Sequence, residues 1–391
     1  MGDIAWMLTA TAMVVFMVPG LALFYGGLTR SKNVLNMINM NVYCIGIVPV
    51  LWVLFSYSLG NSAGNALIGN LDAIGFRVDG EPITGTDLRD ATFLMTFAAI
   101  TPALISGAVA GRMKFSAWVL FVPLWSVLCY SPVTYWVYTG WHKTDLSPEA
   151  IDFAGGTAIH INAGVAALVL ALVLGKRRGW PTEPMAPHNM AVVILGTGIL
   201  WFGWFGFNAG SALAADDIAV QALMNTFIAP AAGMLTWLIV ERLRDGHATT
   251  LGAASGIVSA LVAITPAAGY VGTLAAMLIG AVAGVLCYAA IQLKHKLGYD
   301  DSLDVVGIHG VGGIVGGLML GFLAEKSVGG AEGGGDLFVS QLAAIGSVIA
   351  FSAVVTFIIA MAIKSTIGLR VDEESEQIGL DQTQHSESAY S

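Results

Sequence analysis

Long runs of apolar residues alternate with short polar segments along almost the whole chain. Each run is close to the roughly 20 residues that an α-helix needs to cross a bilayer. The pattern predicts an all-α polytopic membrane protein with eleven transmembrane helices. The predicted spans are Ile4–Leu28, Val42–Gly60, Ala91–Gly111, Ala117–Tyr138, Phe153–Gly175, Met190–Gly210, Val220–Val240, Leu251–Ala267, Gly272–Leu293, Val305–Leu323 and Leu337–Ile363. The spans near Leu251 and Val305 are the weakest, because glycines and polar residues interrupt them.

The composition agrees with a tightly packed bundle in membrane lipid. Charged residues make up 11% of the 391 residues, whereas a soluble domain usually carries about 25%. The 48 glycines favour close approach of membrane helices. The formal net charge of −9 argues against a nucleic-acid partner. The three cysteines all lie within apolar runs, so they do not read as a disulfide or metal framework.

Basic residues are divided unequally between the two sets of loops. With the N-terminus placed outside, thirteen fall on the inner side: Arg30, Lys32, Arg112, Lys114, Lys176, Arg177, Arg178, Arg242, Arg244, Lys294, Lys296, Lys364 and Arg370. The outer side receives Arg77, Arg89, Lys143 and Lys326. Because cytoplasmic loops carry an excess of lysine and arginine, the chain is predicted to be N-out and C-in with an odd number of spans.

A faint internal repeat divides the spans into two groups. "AITPAL" (Ala99–Leu104) lies in the third span and "AITPAAG" (Ala263–Gly269) in the eighth, while His160 in the fifth matches His309 in the tenth. Spans that are five apart cross in opposite directions, and inverted halves of five helices are a common transporter design. Such short strings can also match by coincidence. The predicted organisation is a membrane domain over residues 1–366, with inverted repeats at about 4–175 and 190–323 and a long eleventh helix at about 337–363, and a tail over 367–391. The acidic, polar tail is expected to be cytoplasmic and flexible.

Two histidines fall well inside predicted spans. The segment "DFAGGTAIHINAG" places Asp152 at the outer start of the fifth span and His160 eight residues later, about 12 Å further along a helix. His309 enters from the opposite face, five residues after Asp304. Ionisable residues within a membrane indicate a functional site by default, and two imidazoles near the midplane could meet across a narrow pore. The alternative is two separate core histidines. The other histidines are expected to be solvated: His142, His188, His247, His295 and His385.

The segment "WFGWFGFNAGS" (Trp201–Ser211) closes the sixth span on the outer side. Aromatic belts are ordinary at a membrane interface, but these five aromatic residues cover every face of a helix, so some must face the protein. An aromatic face beside a hydroxyl would suit a small cation through cation–π attraction. Phe93 and Phe97 of the third span could supply the opposing wall.

Three segments resemble signature segments of a known family. "DFAGGTAIHINAG", "GWFGFNAGSA" and "VVGIHGVGG" look like those of the ammonium transporter family, the Amt/Mep/Rh group, in its prokaryotic Amt form. The likeness extends over nearly the whole chain, including the closing "GLRVDEESEQIGLDQTQHSESAY". The resemblance implies a homotrimer with one pore per subunit, built from two inverted five-helix halves and a long eleventh helix. It also implies a PII-type signalling protein as a partner at the cytoplasmic face.

The resemblance implies roles for individual residues. Ser211 would hydrogen-bond ammonium, or its analogue methylammonium, in an outer vestibule, and Asp152 would be the carboxylate beneath it. Phe97 and Phe207 would form a stacked phenyl gate. The residues implied in or beside the pore are His160, His309, Phe93, Trp204 and Thr265.

One position departs from the family pattern. The family usually has a vestibule tryptophan at the end of the fourth span, and the corresponding residue here is Tyr138. Trp136 or Trp141 could fill that role instead. The vestibule aromatic is therefore left open among these three residues.

The function that follows is transport without covalent chemistry, so neither an enzyme nor a cofactor is expected. Ammonium would be captured outside, lose its proton near the gate and pass the histidines as ammonia, with the fate of the proton left open. A sensor of the same fold is the nearest alternative. A haem-carrying membrane oxidoreductase, with His160 and His309 as axial ligands, and a sodium-coupled solute carrier are more distant ones.

Overall fold

The computed structural model describes residues 1–390, which form an almost wholly helical bundle. The helices are α1 (Gly2–Leu28), α2 (Ser31–Asn61), α3 (Gly85–Val109), α4 (Phe115–Thr144), α5 (Gly156–Leu174), α6 (Met190–Gly210), α7 (Asp217–Asp245), α8 (Thr250–Ile264), α9 (Thr273–Leu297), α10 (Val306–Leu323), α11 (Gly335–Thr366), α12 (Glu373–Ile378) and α13 (Leu380–His385). A small hairpin of β1 (Arg77–Val78) and β2 (Glu81–Pro82) lies between α2 and α3. Within residues 1–390, ten helices are long and apolar enough to cross a membrane, and α8 is a shorter apolar helix. The protein is therefore a multi-pass membrane protein.

Helix α2 begins eleven residues before the predicted span. Its first three turns carry the asparagines of "SKNVLNMINMN", which made the segment look too polar for a membrane helix. These amides have partners inside the protein: Asn41 donates to Ser106 Oγ at 3.3 Å, and the backbone N–H of Asn36 donates to Asp381. Since buried polar groups are tolerated when they are hydrogen-bonded, the helix extends through them.

Glycines allow α1 and α6, the first helices of the two predicted halves, to pack closely. A Cβ on Gly196 would lie 2.4 Å from the Phe24 backbone nitrogen, and one on Gly206 would lie 2.8 Å from the Ala10 carbonyl oxygen. Small residues permit this approach where no hydrophobic effect drives helices together. This contact holds α6 directly against α1.

The fifth helices of the two halves, α5 and α10, cross in the same backbone-to-backbone way. A Cβ on Gly164 would lie 2.4 Å from the Gly310 Cα atom. Both helices open with a π-helical segment, Gly156–Ile161 in α5 and Val306–Gly310 in α10. π-helical turns inside α-helices are frequent at functional sites, and here each one contains one of the two membrane histidines.

A buried polar cluster ties the two halves together at the end of the bundle predicted to be cytoplasmic. The Arg112 side chain is fully buried, and it donates to the Asp300 carbonyl and to Ser302 Oγ across the interface. Arg177 forms a two-pronged ion pair with Asp300, with its Nη2 atom 2.7 Å from Oδ1. Bidentate guanidinium–carboxylate pairs add geometric specificity, so this cluster sets how the loop before α10 lies against α3.

The tail is docked on the bundle, so the expectation of a flexible segment was wrong. Glu376 accepts hydrogen bonds from the Arg178 backbone N–H and the Arg370 guanidinium, both at 2.7 Å. Asp381 accepts one at 2.8 Å from the backbone N–H of Asn36, in the first turns of α2. Composition could not reveal this order, because the backbone N–H donors of Arg178 and Asn36 lie far away in sequence.

Three of the histidines expected to be solvated contact protein instead. His142 is 1% exposed, and its Nε2 atom lies 2.9 Å from Ser347 Oγ. The His188 ring hydrogen-bonds the Thr29 carbonyl at 2.9 Å. His385 packs against the Phe115 ring, with centroids 4.8 Å apart. From the sequence these residues lie in loops, at span ends or in the tail. The sequence alone does not show that another segment of the protein packs against them there.

Candidate functional site

A cavity of about 380 Å³ opens at the end of the bundle predicted to be extracellular. Five residues singled out from the sequence line it: Ser211, Asp152 and Tyr138, which were expected at the vestibule, Phe97 of the expected gate and Phe93, which was expected beside the pore. They come from α3, α4, the loop before α5 and the end of α6. The structure thus brings together residues that are separated by more than one hundred positions in the sequence.

Ser211 presents a hydrogen-bond acceptor to this cavity. Its hydroxyl donates to the Phe207 carbonyl at 2.8 Å. Because a hydroxyl has one donor and two acceptor lone pairs, the hydroxyl oxygen keeps acceptor capacity once its hydrogen is used. A ligand that carries N–H groups matches that arrangement.

Asp152 is bonded to the backbone at the start of α5. Its Oδ1 accepts from the N–H groups of Gly155 and Gly156 at 3.0 and 2.6 Å. Its Oδ2 accepts from those of Thr157 and Ala158 at 2.8 and 2.9 Å. All four otherwise unpaired N–H groups of a helix start are therefore satisfied by one carboxylate, which also borders the cavity.

Two phenyl rings close the bottom of the outer cavity. The rings of Phe97 and Phe207 are stacked with centroids 4.1 Å apart and an interplanar angle of 8°. The Phe93 ring lies 4.8 Å from that of Phe97. Each of the three side chains is at most 2% exposed. The stacked pair therefore separates the outer cavity from the space below it.

The two membrane histidines meet directly below the stacked rings. His160 Nδ1 and His309 Nδ1 are 3.1 Å apart. Neutral imidazole carries one donor and one acceptor nitrogen, so the two rings share one proton in this contact. The two Nε2 atoms are then inequivalent, with one a donor and the other an acceptor. His160 Nε2 is buried and has no hydrogen-bond partner among residues 1–390, which leaves it available to a ligand.

Trp204 and Thr265 hold this pair in place. The Trp204 indole N–H donates to Thr265 Oγ1 at 2.8 Å, and the Thr265 hydroxyl donates to the Leu261 carbonyl at 2.8 Å. The indole ring lies 5.4 Å from the His160 ring, 17° from parallel. Trp204 therefore supports one side of the histidine pair.

A narrow space lies beside the histidines and leads towards the end of the bundle opposite the outer cavity. The cavity beside His160 and His309 measures about 10 Å³, which is roughly the room that one water molecule needs. Apart from the histidines its lining is largely apolar, including Leu21, Leu104 and Val258. Beyond it lies an inner cavity of about 420 Å³, with Phe24 lining both spaces. Two wide cavities are thus separated by one tight, mainly apolar passage.

The structure separates the three candidates for the vestibule aromatic. Tyr138 lines the outer cavity. Trp136 is 5% exposed, donates to the Leu67 carbonyl and packs against Phe351. Trp141 packs against Trp136 and is not among the residues that line the outer cavity within the described chain. Tyr138 is therefore the only one of the three whose position fits a vestibule role.

The histidine pair does not fit the haem alternative. An iron bound between two ring nitrogens would separate them by about 4 Å, twice a metal–imidazole bond. The two Nδ1 atoms are 3.1 Å apart. The passage beside them also has no room for a macrocycle.

Sequence reasoning missed one carboxylate near the second histidine. It singled out Asp304, whereas the side chain that caps the start of α10 is Asp301, whose Oδ2 accepts from the Val306 backbone N–H at 2.7 Å. Asp301 precedes His309 by eight residues, as Asp152 precedes His160. Applying the spacing of the first half to the second would have found it.

Comparison with known proteins identifies the family. The sequence model described as Ammonium Transporter Family matches residues 5–390. An ammonium transporter of Mycobacterium bovis is 50% identical, with 100% of this chain and 90% of that protein covered. The crystal structure of Saccharomyces cerevisiae Mep2 superposes with a TM-score of 0.87 at 36% identity, covering 95% of this chain and 88% of that one. A structure described as a sensor Amt protein superposes with a TM-score of 0.90 at 25% identity, covering 98% of both chains. With its whole length matched by sequence and by fold, the chain belongs to the ammonium transporter family.

Proposed function

We propose that the protein captures ammonium in the outer cavity, removes its proton near the phenyl rings and conducts ammonia past the histidine pair. The observation that carries this proposal is the order of the parts: an outer cavity with π faces and an acceptor oxygen, a stacked phenyl pair, and a tight passage of about 10 Å³ beside two imidazoles. An ion with its hydration shell does not fit that passage, whereas a molecule the size of water does.

The outer cavity supplies the contacts that distinguish ammonium from a metal cation of similar size. Ammonium has four N–H donors, and the Ser211 oxygen and aromatic faces can receive them. The carboxylate of Asp152 adds negative charge on the same cavity wall. Capture therefore depends on directed hydrogen bonds as well as on charge.

The passage favours a neutral species because it offers no fixed charge. The shared proton between His160 and His309 leaves one donor and one acceptor for ammonia, which can use both. Potassium and sodium cannot shed their charge, so they are rejected at this stage. The chemistry is proton exchange without covalent intermediates, which describes a transporter and not an enzyme.

Ammonium-jump currents on proteoliposomes test this function. An ammonium jump is expected to give a saturable current or, if the proton stays outside, saturable uptake of labelled methylammonium without current. Equal jumps of potassium or sodium, and liposomes without protein, are the controls. A protein that is intact by size-exclusion chromatography yet gives neither signal would contradict transport, and an absolute need for sodium would favour the solute-carrier alternative.

A sensor function is the second candidate, and the superposition on a sensor Amt protein supports it. The docked tail offers a cytoplasmic surface through which occupancy could be read by another protein. A sensor would bind ammonium without sustaining flux. Saturable binding of ammonium by calorimetry, together with the absence of current and uptake, would therefore replace the transport proposal with this one.

Two assembly proposals follow from the family. We expect a homotrimer with one pore per subunit, measurable as a trimer mass in detergent by light scattering. We also expect a PII-type signalling protein to bind the cytoplasmic face near Arg177 and Arg242 and to cover the pores. Pull-down from a lysate of cells grown in nitrogen excess tests the binding of a PII-type protein, with the tail-deleted chain 1–370 as a comparison. A monomer, or a pull-down with no PII-type protein, would count against the respective proposal.

A further inference from the structure

The two halves of the protein place a carboxylate at the same distance before each pore histidine. Asp152 precedes His160 by eight residues, and Asp301 precedes His309 by eight residues. Both side chains accept hydrogen bonds from the N–H groups that open a π-helical segment. One carboxylate lies at the outer cavity, and the other lies at the opposite end of the bundle, in the loop between α9 and α10.

The two carboxylates differ in how fully they are bonded. Asp152 receives four backbone N–H bonds, two on each oxygen. Asp301 accepts one hydrogen bond on Oδ2, from the Val306 backbone N–H, and its Oδ1 is buried without a hydrogen-bond partner among residues 1–390. The Asp301 residue is 1% exposed. An unpartnered, buried carboxylate oxygen is costly, so Oδ1 would be stabilised by taking up a proton or by accepting a hydrogen bond.

Charged and titratable groups surround Asp301 on several elements. Lys294 of α9 donates to the Asp301 carbonyl at 3.0 Å and pairs with Asp304. Tyr25 of α1, Tyr299 of the same loop and Arg112 after α3 lie within range of its charge. Burial raises the pKa of Asp301 above its ordinary value, with Lys294 opposing the shift and Asp304 adding to it. The carboxylate therefore takes up a proton more readily than an ordinary aspartate does.

The inner cavity of about 420 Å³ lies beside this segment. It is lined by Ile308, which adjoins His309, and by Ser302 and Asp304, which flank Asp301 on the loop, whereas neither Asp301 nor His309 lines it. Proton transfer from His309 to Asp301 therefore requires water that bridges the two side chains by way of this cavity.

We propose that Asp301 is a proton-exchange residue at the cytoplasmic end of the pore. A proton that leaves the histidine pair passes through water to Oδ1 and converts the carboxylate to the acid. The acid then transfers this proton to the nitrogen of ammonia arriving in the inner cavity, which regenerates the carboxylate and releases ammonium. The proposal rests on the proposed transport function, and it assigns the proton of the captured ammonium to the inner side.

The test measures ammonium-jump currents as a function of the pH inside proteoliposomes. Because Asp301 accepts protons in its ionised form and burial raises its pKa, the saturated wild-type current is expected to fall as internal pH decreases below neutral. Wild-type protein that gives no current and no uptake at any pH would contradict the transport function itself. Uptake without any current would instead overturn only the inward proton route.

Asp301→Asn keeps an oxygen for the Val306 N–H group but cannot take up a proton. It is expected to lower the saturated current by roughly tenfold or more and to remove its dependence on internal pH, with the ammonium concentration at half-maximal current unchanged. Asp301→Glu should restore a pH-dependent current in part. A normal current with a normal pH profile from Asp301→Asn would overturn the proposal.

Asp304→Asn is the matched control in the same loop. It removes a neighbouring negative charge and frees Lys294, so Asp301 should stay titratable but lose its proton more easily. The pH profile should therefore persist and shift to lower internal pH. If Asp301→Asn does not fold, this profile decides alone: the expected shift supports the proposal, and an unshifted profile overturns it.

Discussion

At the scale of single residues, Asp152 illustrates how a carboxylate can be stable beside a membrane pore. The side chain caps the start of α5 with both oxygens, each of which accepts from two N–H groups, and it also lines the outer cavity. Asparagine usually caps helices about as well as aspartate. An asparagine at this position would offer only one acceptor oxygen, so Asp152→Asn removes half of the cap together with the charge.

We therefore expect Asp152→Asn to be impaired in both stability and transport. Two N–H groups would face the side-chain amide NH₂, and an unsatisfied buried donor costs about 1–3 kcal/mol. The thermal unfolding temperature should fall, and the ammonium-jump current should be lost even at temperatures where the variant is folded. Asp152→Ala should be less stable still. Normal currents from a folded Asp152→Asn variant would refute an electrostatic role.

Tyr138 allows a test that separates capture from conduction. Its ring lines the outer cavity without forming part of the stacked phenyl pair. Loss of one cation–π contact of about 1 kcal/mol at Tyr138→Ala should raise the ammonium concentration at half-maximal current roughly fivefold, with little change in the saturated current. Tyr138→Trp should keep or improve capture. If Tyr138→Ala leaves the half-maximal concentration unchanged, the tyrosine does not contribute to the cation site.

At the scale of secondary-structure elements, the contact between α5 and α10 decides whether the histidines meet. Gly164→Ala would place a methyl group 2.4 Å from the Gly310 Cα atom, and overpacking of this kind typically costs about 1–3 kcal/mol. The helices should move apart, lengthen the contact between His160 and His309 and reduce both stability and flux. Gly46→Ala in α2 is the control, because apart from its chain neighbours and the nearby backbone of its own helix no atom of the described chain lies within 4 Å of its added methyl group. Equal behaviour of the two variants would contradict the role of this crossing.

The elements also show what apolar periodicity can and cannot predict. Runs of about 20 apolar residues located the ten long apolar helices and the shorter α8, because a bilayer demands about that length, but not the two short helices of the tail. The start of α2 was missed, since the asparagines that interrupt its pattern find partners on other segments. The predicted site residues Phe97, Ser211 and His160 came from motifs, whereas Asp301 lies outside the quoted motifs and only the eight-residue spacing before each histidine points to it. Contacts distant in sequence therefore account for most of what the pattern left out.

At the scale of the whole molecule, the tail joins the end of the chain to its beginning. Helix α2 has no side-chain cap from its own N-terminal residues, and Asp381 supplies a carboxylate to its first turns from 345 positions away. His385 adds a contact with the Asn36 side chain at 3.0 Å. Docking of the tail therefore stabilises a helix that packs against α1 and α3.

This docking should depend on pH. Burial lowers the pKa of His385 below its ordinary value, so the undocked tail binds a proton more readily than the docked one. Docking should be complete above the ordinary histidine pKa of about 6.5 and weaken as pH falls below it. Hydrogen exchange of residues 380–386 should accelerate in that window. His385→Gln should remove the pH dependence, whereas an unchanged profile in this variant would assign the effect to other groups.

The orientation of the protein in the membrane determines which cavity receives the substrate. The names outer cavity and inner cavity both depend on this prediction. The thirteen-to-four distribution of basic residues places the cavity lined by Ser211 outside and the one lined by Arg177 inside. Ser147 and Lys296 are both exposed and lie at opposite ends of the bundle. A membrane-impermeant maleimide added to intact cells should label Ser147→Cys, while Lys296→Cys should react only after the cells are opened. The native Cys44, Cys129 and Cys287 are buried, so background labelling should be low. The reverse labelling pattern would mean that the protein has the opposite orientation in the membrane. The inner cavity, which is lined by Lys294 and Asp304, would then be the site of entry.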